Sequence, residues 1–343
     1  MPLTVFAAEA GHEESARLRA ALEAAGVSTE LSSTPEPVRG APPPDRLGPG
    51  VRILSVFVGS RVGDELLAAC PDLELVATRS TGFDHVDLAA CKARGVAVAN
   101  VPTYGENTVA EHTFALILAL SRNVHKAWVR TQRGDFSLVG LQGFDLRDRT
   151  LGLVGTGHIG LHAAKIGRGF GMEVVAADPH PQPLLAEVIG FRYLELDELV
   201  ARADIVSLHA PYTPATHHLV DRALLARFKR GALLINTARG GLVDTEALLW
   251  ALDEGILGGA GLDVLEGEEL LTEDRRRLAL ERDETALRRL VENQLLAGRE
   301  DVVVTPHIGF DSAEAVQRIV DVTARNVAAF LAGRPENLVS APA

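Results

Sequence analysis

Residues 150–179 read TLGLVGTGHIGLHAAKIGRGFGMEVVAADP. An apolar run (Leu151, Leu153, Val154) stops at Gly155-Thr156-Gly157-His158-Ile159-Gly160. Ala163, Ala164, Ile166 and Phe170 follow at helical spacing, and a second apolar run, Val174 to Ala177, ends at Asp178. A strand, a glycine turn, a helix and a strand in one short stretch is the context in which GxGxxG carries meaning. Gly155 allows the tight turn, Gly157 lets the main chain approach a pyrophosphate, and Gly160 lets the helix lie close to the strand. His158 and Ile159 open that helix, whose first N–H groups and partial positive charge suit an anion. Asp178 stands where a carboxylate accepts hydrogen bonds from ribose hydroxyls. A 2′-phosphate there would meet a like charge, and Pro179 and His180 follow rather than an Arg, so NAD is expected over NADP. A protonated His180 is the one feature that argues otherwise.

With 343 residues, 47% of them hydrophobic, the chain can bury two cores. A net charge of −12 excludes the basic surface that a nucleic-acid partner requires. Cys70 and Cys91 form neither a disulfide framework nor a metal cluster, and fit a reducing compartment. The first residues lack the basic flank of a signal peptide, and the longest apolar run, Phe114 to Leu120, is far short of the ~20 residues a bilayer needs. A cytoplasmic protein with no membrane association is expected.

Around the glycine motif the chain alternates apolar runs and helical patterns. Residues 3–8, 51–58, 73–77 and 96–99 read as strands, and 13–25, 64–70 and 88–94 as helices. Asn100-Val101-Pro102 marks a crossing between domains. Residues 104–122 form one helix that is apolar nearly all round, which calls for burial; it is read as a hinge and homodimer helix, with a plain core helix as the alternative. After the glycine motif, apolar runs end at His209-Ala210-Pro211, at Asn236-Thr237-Ala238-Arg239-Gly240, at Asp263 and at Thr305-Pro306-His307. The pattern predicts two doubly wound parallel-sheet α/β domains, the second inserted into the first, with the last helix returning to the first domain.

Ligands of such sheets gather at the carboxyl ends of strands, where Arg239, Glu268 and His307 stand. A guanidinium can hold a substrate carboxylate through two parallel hydrogen bonds. An imidazole can exchange a proton near neutral pH, and a carboxylate on its other nitrogen orients it and favours its charged form. Each also has a bland reading: a surface Arg, one acid in an acidic loop, a satisfied core His.

The ordered motifs Arg79-Ser80-Thr81-Gly82-Phe83-Asp84-His85-Val86-Asp87, Asn100-Val101-Pro102-Thr103-Tyr104, Val109-Ala110-Glu111-His112, Gly152 to Gly160, Ser207-Leu208-His209-Ala210-Pro211, Asn236 to Gly240, Leu262-Asp263-Val264 and Pro306-His307-Ile308-Gly309 span nearly the whole chain. In these the chain resembles the D-isomer-specific 2-hydroxyacid dehydrogenase family, and within it the D-lactate dehydrogenase branch. The resemblance implies a Rossmann NAD-binding domain over 102–304 inserted into a flavodoxin-like substrate domain (1–101 and 305–343). It implies reduction of a small 2-ketoacid by NADH, with Arg239 on the substrate, His307 as acid/base and Glu268 as its partner. Family spacing favours Glu268, although the run Glu268-Glu269-Leu270-Leu271 departs from the usual Glu-Pro and leaves Glu266 and Glu269 open. By the same resemblance Thr81 and Gly82 hold the substrate carboxylate through main-chain N–H groups, and Tyr104 and Phe310 wall the pocket. Asp263 meets the nicotinamide carboxamide, and His209, Pro211, Thr237 and Ala238 line the cofactor. The loop Ala7 to Gly11 lacks the aromatic residues some relatives place over the substrate. Corepressors that resemble this family supply the alternative reading, an NAD-sensing binding protein of the same fold.

Other features carry little. His217 and His218 are adjacent and cannot point the same way in an extended chain, so no metal is expected there. His12-Glu13-Glu14 lacks the second His of HExxH. Pro42-Pro43-Pro44 reads as a stiff surface loop. The charged segment 266–301, with Arg275, Arg276, Arg277, Glu281, Arg282, Asp283 and Glu284, reads as a solvated helical excursion with a Leu287/Leu290/Val291/Leu295 stripe, a surface or subunit-contact helix.

Overall fold

The structure, a computed structural model, describes residues 3–40, 47–268 and 284–339. The Pro42-Pro43-Pro44 run and the Arg275 to Asp283 part of the charged segment lie outside these residues. Contacts divide the chain into two compact units, Met1–Tyr104 with Ser312–Ala343, and Gly105–Asp311. The dividing points fall a few residues later than the expected 101/102 and 304/305, which places His307 and Phe310 with the second unit.

The first unit holds five parallel strands, β1 (Leu3–Ala7), β2 (Thr29–Ser33), β3 (Val51–Val56), β4 (Leu75–Thr78) and β5 (Ala97–Ala99), in the order β2-β1-β3-β4-β5. That is the flavodoxin-like doubly wound order. β3 and β4 are almost wholly buried, with Arg52 their one exposed side chain. Val5, Ile53, Leu75 and Ala77 pack on one face with Leu18 and Leu22 of the His12–Ala24 helix and with Val320, Ala324 and Val327 of the returning Ala313–Leu331 helix. Phe6, Leu54, Val56 and Val76 pack on the other with Leu66, Leu67 and Cys91 of two short helices. Sequence reading missed β2: of Thr29-Glu30-Leu31-Ser32-Ser33 only Leu31 is buried, and an edge strand with a single inward side chain has no alternation to detect.

The carboxyl edge of this sheet is tied by charge. Arg79, fully buried, donates to Glu14 Oε1 (2.8 Å), Ser55 Oγ (3.0 Å), Ala8 O (2.7 Å) and Glu9 O (2.9 Å), joining the exits of β1, β3 and β4. Glu9, at φ +56°, accepts from Phe57 N, Gly59 N, Ser60 N and Ser60 Oγ at 2.5–3.1 Å.

The second unit holds seven parallel strands, β6 (Thr150–Val154), β7 (Glu173–Ala177), β8 (Arg192–Tyr193), β9 (Ile205–Leu208), β10 (Ala232–Asn236), β11 (Leu257–Leu262) and β12 (Val302–Val304). Their order, β12-β11-β10-β9-β6-β7-β8, is that of a Rossmann sheet extended by one strand, with the chain reversing direction across the sheet at β6. β8, two residues long with an exposed Arg192, also escaped the sequence reading.

The Glu106–Ser121 helix packs as a core helix of its own unit. Its Ala110, Phe114, Leu116, Ile117 and Leu120 lie in a core with Leu151, Leu153, Ala163, Ala164, Leu233 and Ile235 of the same unit. Two glycines of β11 make room for it: a Cβ on Gly261 would stand 3.0 Å from Leu116, and one on Gly259 3.4 Å from Leu120. Its own sheet therefore covers the apolar girth, and no subunit or hinge contact is needed to explain it. A run of exposed apolar side chains lies just beyond, at Val124, Trp128, Val129, Phe136, Leu138 and Val139. In the Glu284–Ala297 helix Ala286, Leu290 and Leu296 face inward, whereas Val291 and Leu295 of the expected stripe are exposed.

Replacing Arg79 with Lys keeps the charge and loses the planar fork. It should lower stability by about 3 kcal/mol because two carbonyls and a serine hydroxyl lose their donor, measured as a lower urea midpoint with an unchanged slope.

Candidate active site

The residues of the second unit taken first stand just after the carboxyl ends of adjacent strands of its sheet. At the exit of β6, Gly155 has φ +97°, and a Cβ there would come within 2.7 Å of the His209 main chain at the exit of β9. A Cβ on Gly160 would overlap the Gly155 carbonyl, whereas Gly157 faces open space. The turn is thus closed behind by main chain and open in front, beneath the first N–H groups of the His158–Gly169 helix. Gly157 and His158 are exposed and Ile159 is half-buried. This cradle fits the pyrophosphate of a dinucleotide: two glycines are required by close approach, and the third leaves its main chain bare.

Asp178 follows β7. It accepts from Thr156 N (2.6 Å), Thr156 Oγ1 (2.9 Å) and His180 N (2.8 Å). Partial burial works against its charge, but the Thr156 and His180 N–H groups outweigh burial and hold the carboxyl below the usual carboxylate range. His209, half-buried with Nε2 3.0 Å from Ser207 Oγ, is pushed down to about 4 by the low-dielectric surroundings, so the ring beside the glycine turn is neutral. Pro211 is exposed; Thr237 is buried and shares a 2.9 Å hydrogen bond with Thr113, and Ala238 N donates to Asn236 Oδ1 at 3.1 Å.

Asp263 follows β11 with 1% of its surface exposed. Its Oδ1 accepts from Thr305 Oγ1 (2.6 Å) and Ile308 N (2.9 Å) and lies 3.2 Å from His112 Nε2; its Oδ2 accepts from Gly309 N (2.8 Å). Burial opposes its charge, yet His112, Thr305 and the Gly309 N–H prevail and keep its pKa below the ordinary value. The described residues give this carboxylate four partners inside the protein. Those partners shape the turn that carries His307. His307 has φ +55°, a left-handed backbone rare for a non-glycine residue, and its N–H donates to Asp263 O (2.8 Å) and Thr305 O (2.9 Å). His112, quoted in a motif but given no role from sequence, was signalled only by being a polar side chain on an apolar helix.

His307 Nδ1 lies 2.7 Å from Glu268 Oε1. Glu266 turns elsewhere, to His218 Nε2 (3.0 Å) and to Arg289, and Glu269 lies outside the described residues. Arg239 follows β10; Asn236 Nδ2 donates to its carbonyl at 2.9 Å and Arg239 NH1 to Ala238 O at 2.8 Å. Phe310, half-buried, follows the His307 turn.

In the first unit the Ser80 to Gly82 loop has its carbonyls engaged. Val101 N (3.1 Å) donates to Ser80 O, Asn100 Nδ2 (2.8 Å) to Thr81 O, and Ser80 Oγ (2.6 Å) to Gly82 O. Thr81 Oγ1 in turn donates to Val101 O at 2.8 Å. Tyr104 is half-buried and its carbonyl accepts from Arg318.

His217 and His218 were expected to point apart, but the backbone turns between them. His218 has φ +50°, the chain is not extended there, and the two rings stack at 3.9 Å. With Glu266 they bring three donor atoms within 4.8 Å of one another.

A Rossmann-type sheet with a carboxylate-paired imidazole on its carboxyl edge defines a dinucleotide-dependent oxidoreductase. Residues 114–309 match the profile of the D-isomer specific 2-hydroxyacid dehydrogenase, NAD binding domain. The chain is 40% identical over 299 residues to a 2-hydroxyacid dehydrogenase homolog of Haemophilus influenzae, covering 86% of this chain and 87% of that one. It is 37% identical to an aromatic 2-oxoacid reductase of Clostridium sporogenes, covering 84% and 87%. A D-lactate dehydrogenase from Aquifex aeolicus, solved with NAD and lactic acid, superposes with a TM-score of 0.87 at 36% identity over 99% of this chain and 100% of that one. The chain belongs to the D-isomer specific 2-hydroxyacid dehydrogenase family and is an NAD-dependent oxidoreductase. No helix among the described residues is long and apolar enough to cross a membrane.

The glycines separate folding from binding. Gly155→Ala, strained and overlapping main chain, should destabilise the protein by about 2 kcal/mol or more. Gly157→Ala should leave the melting temperature unchanged and weaken NADH binding at least about tenfold, since the new methyl occupies the open face; thermal melts and NADH fluorescence titration check both.

Proposed function

We propose that the protein is a 2-ketoacid reductase of the D-lactate dehydrogenase type, acting on a small 2-keto/2-hydroxy acid. The 2.7 Å contact between His307 and Glu268, on a sheet whose glycine turn suits a dinucleotide, carries the reading. NADH, when bound, would supply the hydride for C2 of the substrate. His307, with Nδ1 on Glu268, has Nε2 left to deliver a proton to the ketone oxygen, and Glu268 orients the ring for that transfer. Arg239 binds the substrate carboxylate and polarises the carbonyl. Thr81 and Gly82 offer main-chain N–H groups to the same carboxylate, a role supported by the side chains and main chain that already occupy the loop's carbonyls. Tyr104 and Phe310 wall the substrate. Gly155, Gly157, His158, Ile159, Gly160, Asp178, His209, Pro211, Thr237 and Ala238 line the cofactor, and Asp263 fixes the His307 turn beside the nicotinamide. Cys70 and Cys91, buried and unpaired with thiols pushed up to about 11, agree with a reducing cytoplasm.

A panel of pyruvate, phenylpyruvate, hydroxypyruvate and glyoxylate with NADH tests the reading. Turnover with at least one is expected, and His307→Gln should cut it between about a hundredfold and ten-thousandfold while NADH still binds. An NAD-sensing binding protein would turn over none of them.

We also assign a homodimer, formed through the exposed apolar segment 124–139 rather than through the buried helix before it. Trp128 and Phe136 are 64% and 79% exposed, and a patch of this kind suits a second copy of the chain. Sedimentation should show a dimer for the wild type and a monomer after Trp128→Ser with Phe136→Ser; a wild-type monomer rejects the assignment.

A further inference from the structure

We propose that Glu266 is a positioning residue that holds Glu268, and through it the ring of His307, in place; the inference rests on the roles given to those two residues above. Leu265, Glu266, Gly267 and Glu268 form one tight turn, with Glu268 N donating to Leu265 O at 3.2 Å. Gly267 has φ +68°, the left-handed conformation that a turn of this kind needs at its third place. The turn sends its two carboxylates to different partners. Glu268 spans from His307 Nδ1 to Leu265 N (3.2 Å). Glu266 is 14% exposed, and its oxygens meet His218 Nε2 at 3.0 Å and Arg289. Its carbonyl accepts from Nδ2 of the fully buried Asn293 at 2.9 Å.

Three elements are therefore fastened to this one residue. His218 stands after β9 with its N–H on Gly241 O (2.9 Å), and Arg289 and Asn293 come from the Glu284–Ala297 helix. On the β10 side a Cβ on Gly240 would overlap the Leu265–Glu266 peptide, so the Arg239 loop rests directly on the turn. The charged groups around the two carboxylates are His307, Asp263 and His112 on one side. On the other are His218, Arg239, Arg289 and Asp244, the last 4.0 Å from His218 Nδ1. Both Glu266 oxygens are occupied by cationic or donor groups, which makes the cluster with His217 and His218 an anchoring network rather than an open cation site. Glu268 is a flexible side chain on a short turn, and its 2.7 Å contact lasts only as long as the turn stays still.

The test reads the contact itself and then turnover. In the full-length protein with NADH bound, the Nδ1–H resonance of His307, assigned from His307→Gln, should broaden or be lost in Glu266→Ala. The same variant should reduce kcat for ketoacid reduction about tenfold while KM for the ketoacid and NADH affinity stay within about twofold. Glu266→Gln, which keeps a hydrogen-bond acceptor, should recover part of both. In a Glu268→Gln background Glu266→Ala should reduce kcat no further, because the two residues act in series. An unchanged resonance in Glu266→Ala, or an equal loss of kcat in both backgrounds, overturns the proposal. If the alanine variant fails to fold, Arg289→Met is read in the same way. The resonance does not depend on turnover, so a wild type inert toward every ketoacid would reject the dehydrogenase reading and leave this result to stand on its own.

Discussion

Asp263 is the point on which the reactive end of the second unit rests. Its carboxylate is almost wholly removed from water, and such a group is retained only where donors replace the lost solvent. Thr305, Ile308, Gly309 and His112 do so. Because β11 and β12 are parallel neighbours, the acid leaving one strand lies beneath the turn leaving the next. The turn is thus forced into a form in which His307 adopts a left-handed backbone. That conformation costs about 1–3 kcal/mol, which charge-assisted hydrogen bonds of about 1.5–3 kcal/mol each can offset. The imidazole is aimed by main chain, and Glu268 then fixes its ring.

The cofactor end follows the same logic with opposite means. Where β6 and β9 leave the sheet, the chain reverses its winding, and two main-chain segments approach so closely that only glycine fits between them. A neutral His209 closes the back of the turn, and an ionised Asp178 holds its Thr156 N–H from the side. Both side chains meet the turn from within the same unit, one held neutral by burial and the other ionised by the N–H groups from which it accepts.

The α/β architecture was legible because parallel strands covered on both faces are apolar throughout, and β3, β4, β6, β9 and β10 could be read one by one. What periodicity does not carry is the identity of the covering surface. The Glu106–Ser121 helix has the composition of an interface, and the glycines of β11 that let the sheet take it are ordinary glycines until the strands are paired. Edge strands fail for the opposite reason: β2 and β8 bury too little to leave a pattern. At the site, spacing could not separate Glu266 from Glu268, since both acids stand in one turn and only the left-handed Gly267 sends them apart. His217 and His218 were dismissed on the assumption of an extended chain, and a single positive φ at His218 removes it.

The two units also differ in what their carboxyl edges are made from. In the second unit the groups placed in the chemistry are held by main chain and by paired charges, so their positions are set by the sheet and leave little room for sequence change. In the first unit the loop after β1 is closed by its own Glu9, whose carboxylate is seized by three N–H groups after β3, and Arg79 pins the carbonyls beside it. An acid that satisfies its neighbours' N–H groups fixes the loop without presenting a large side chain beyond it, where a bulky aromatic would have extended outward. The loop after β1 is thus shaped within its own unit, and the turn that carries His307 within the other, each by a carboxylate that satisfies main-chain N–H groups.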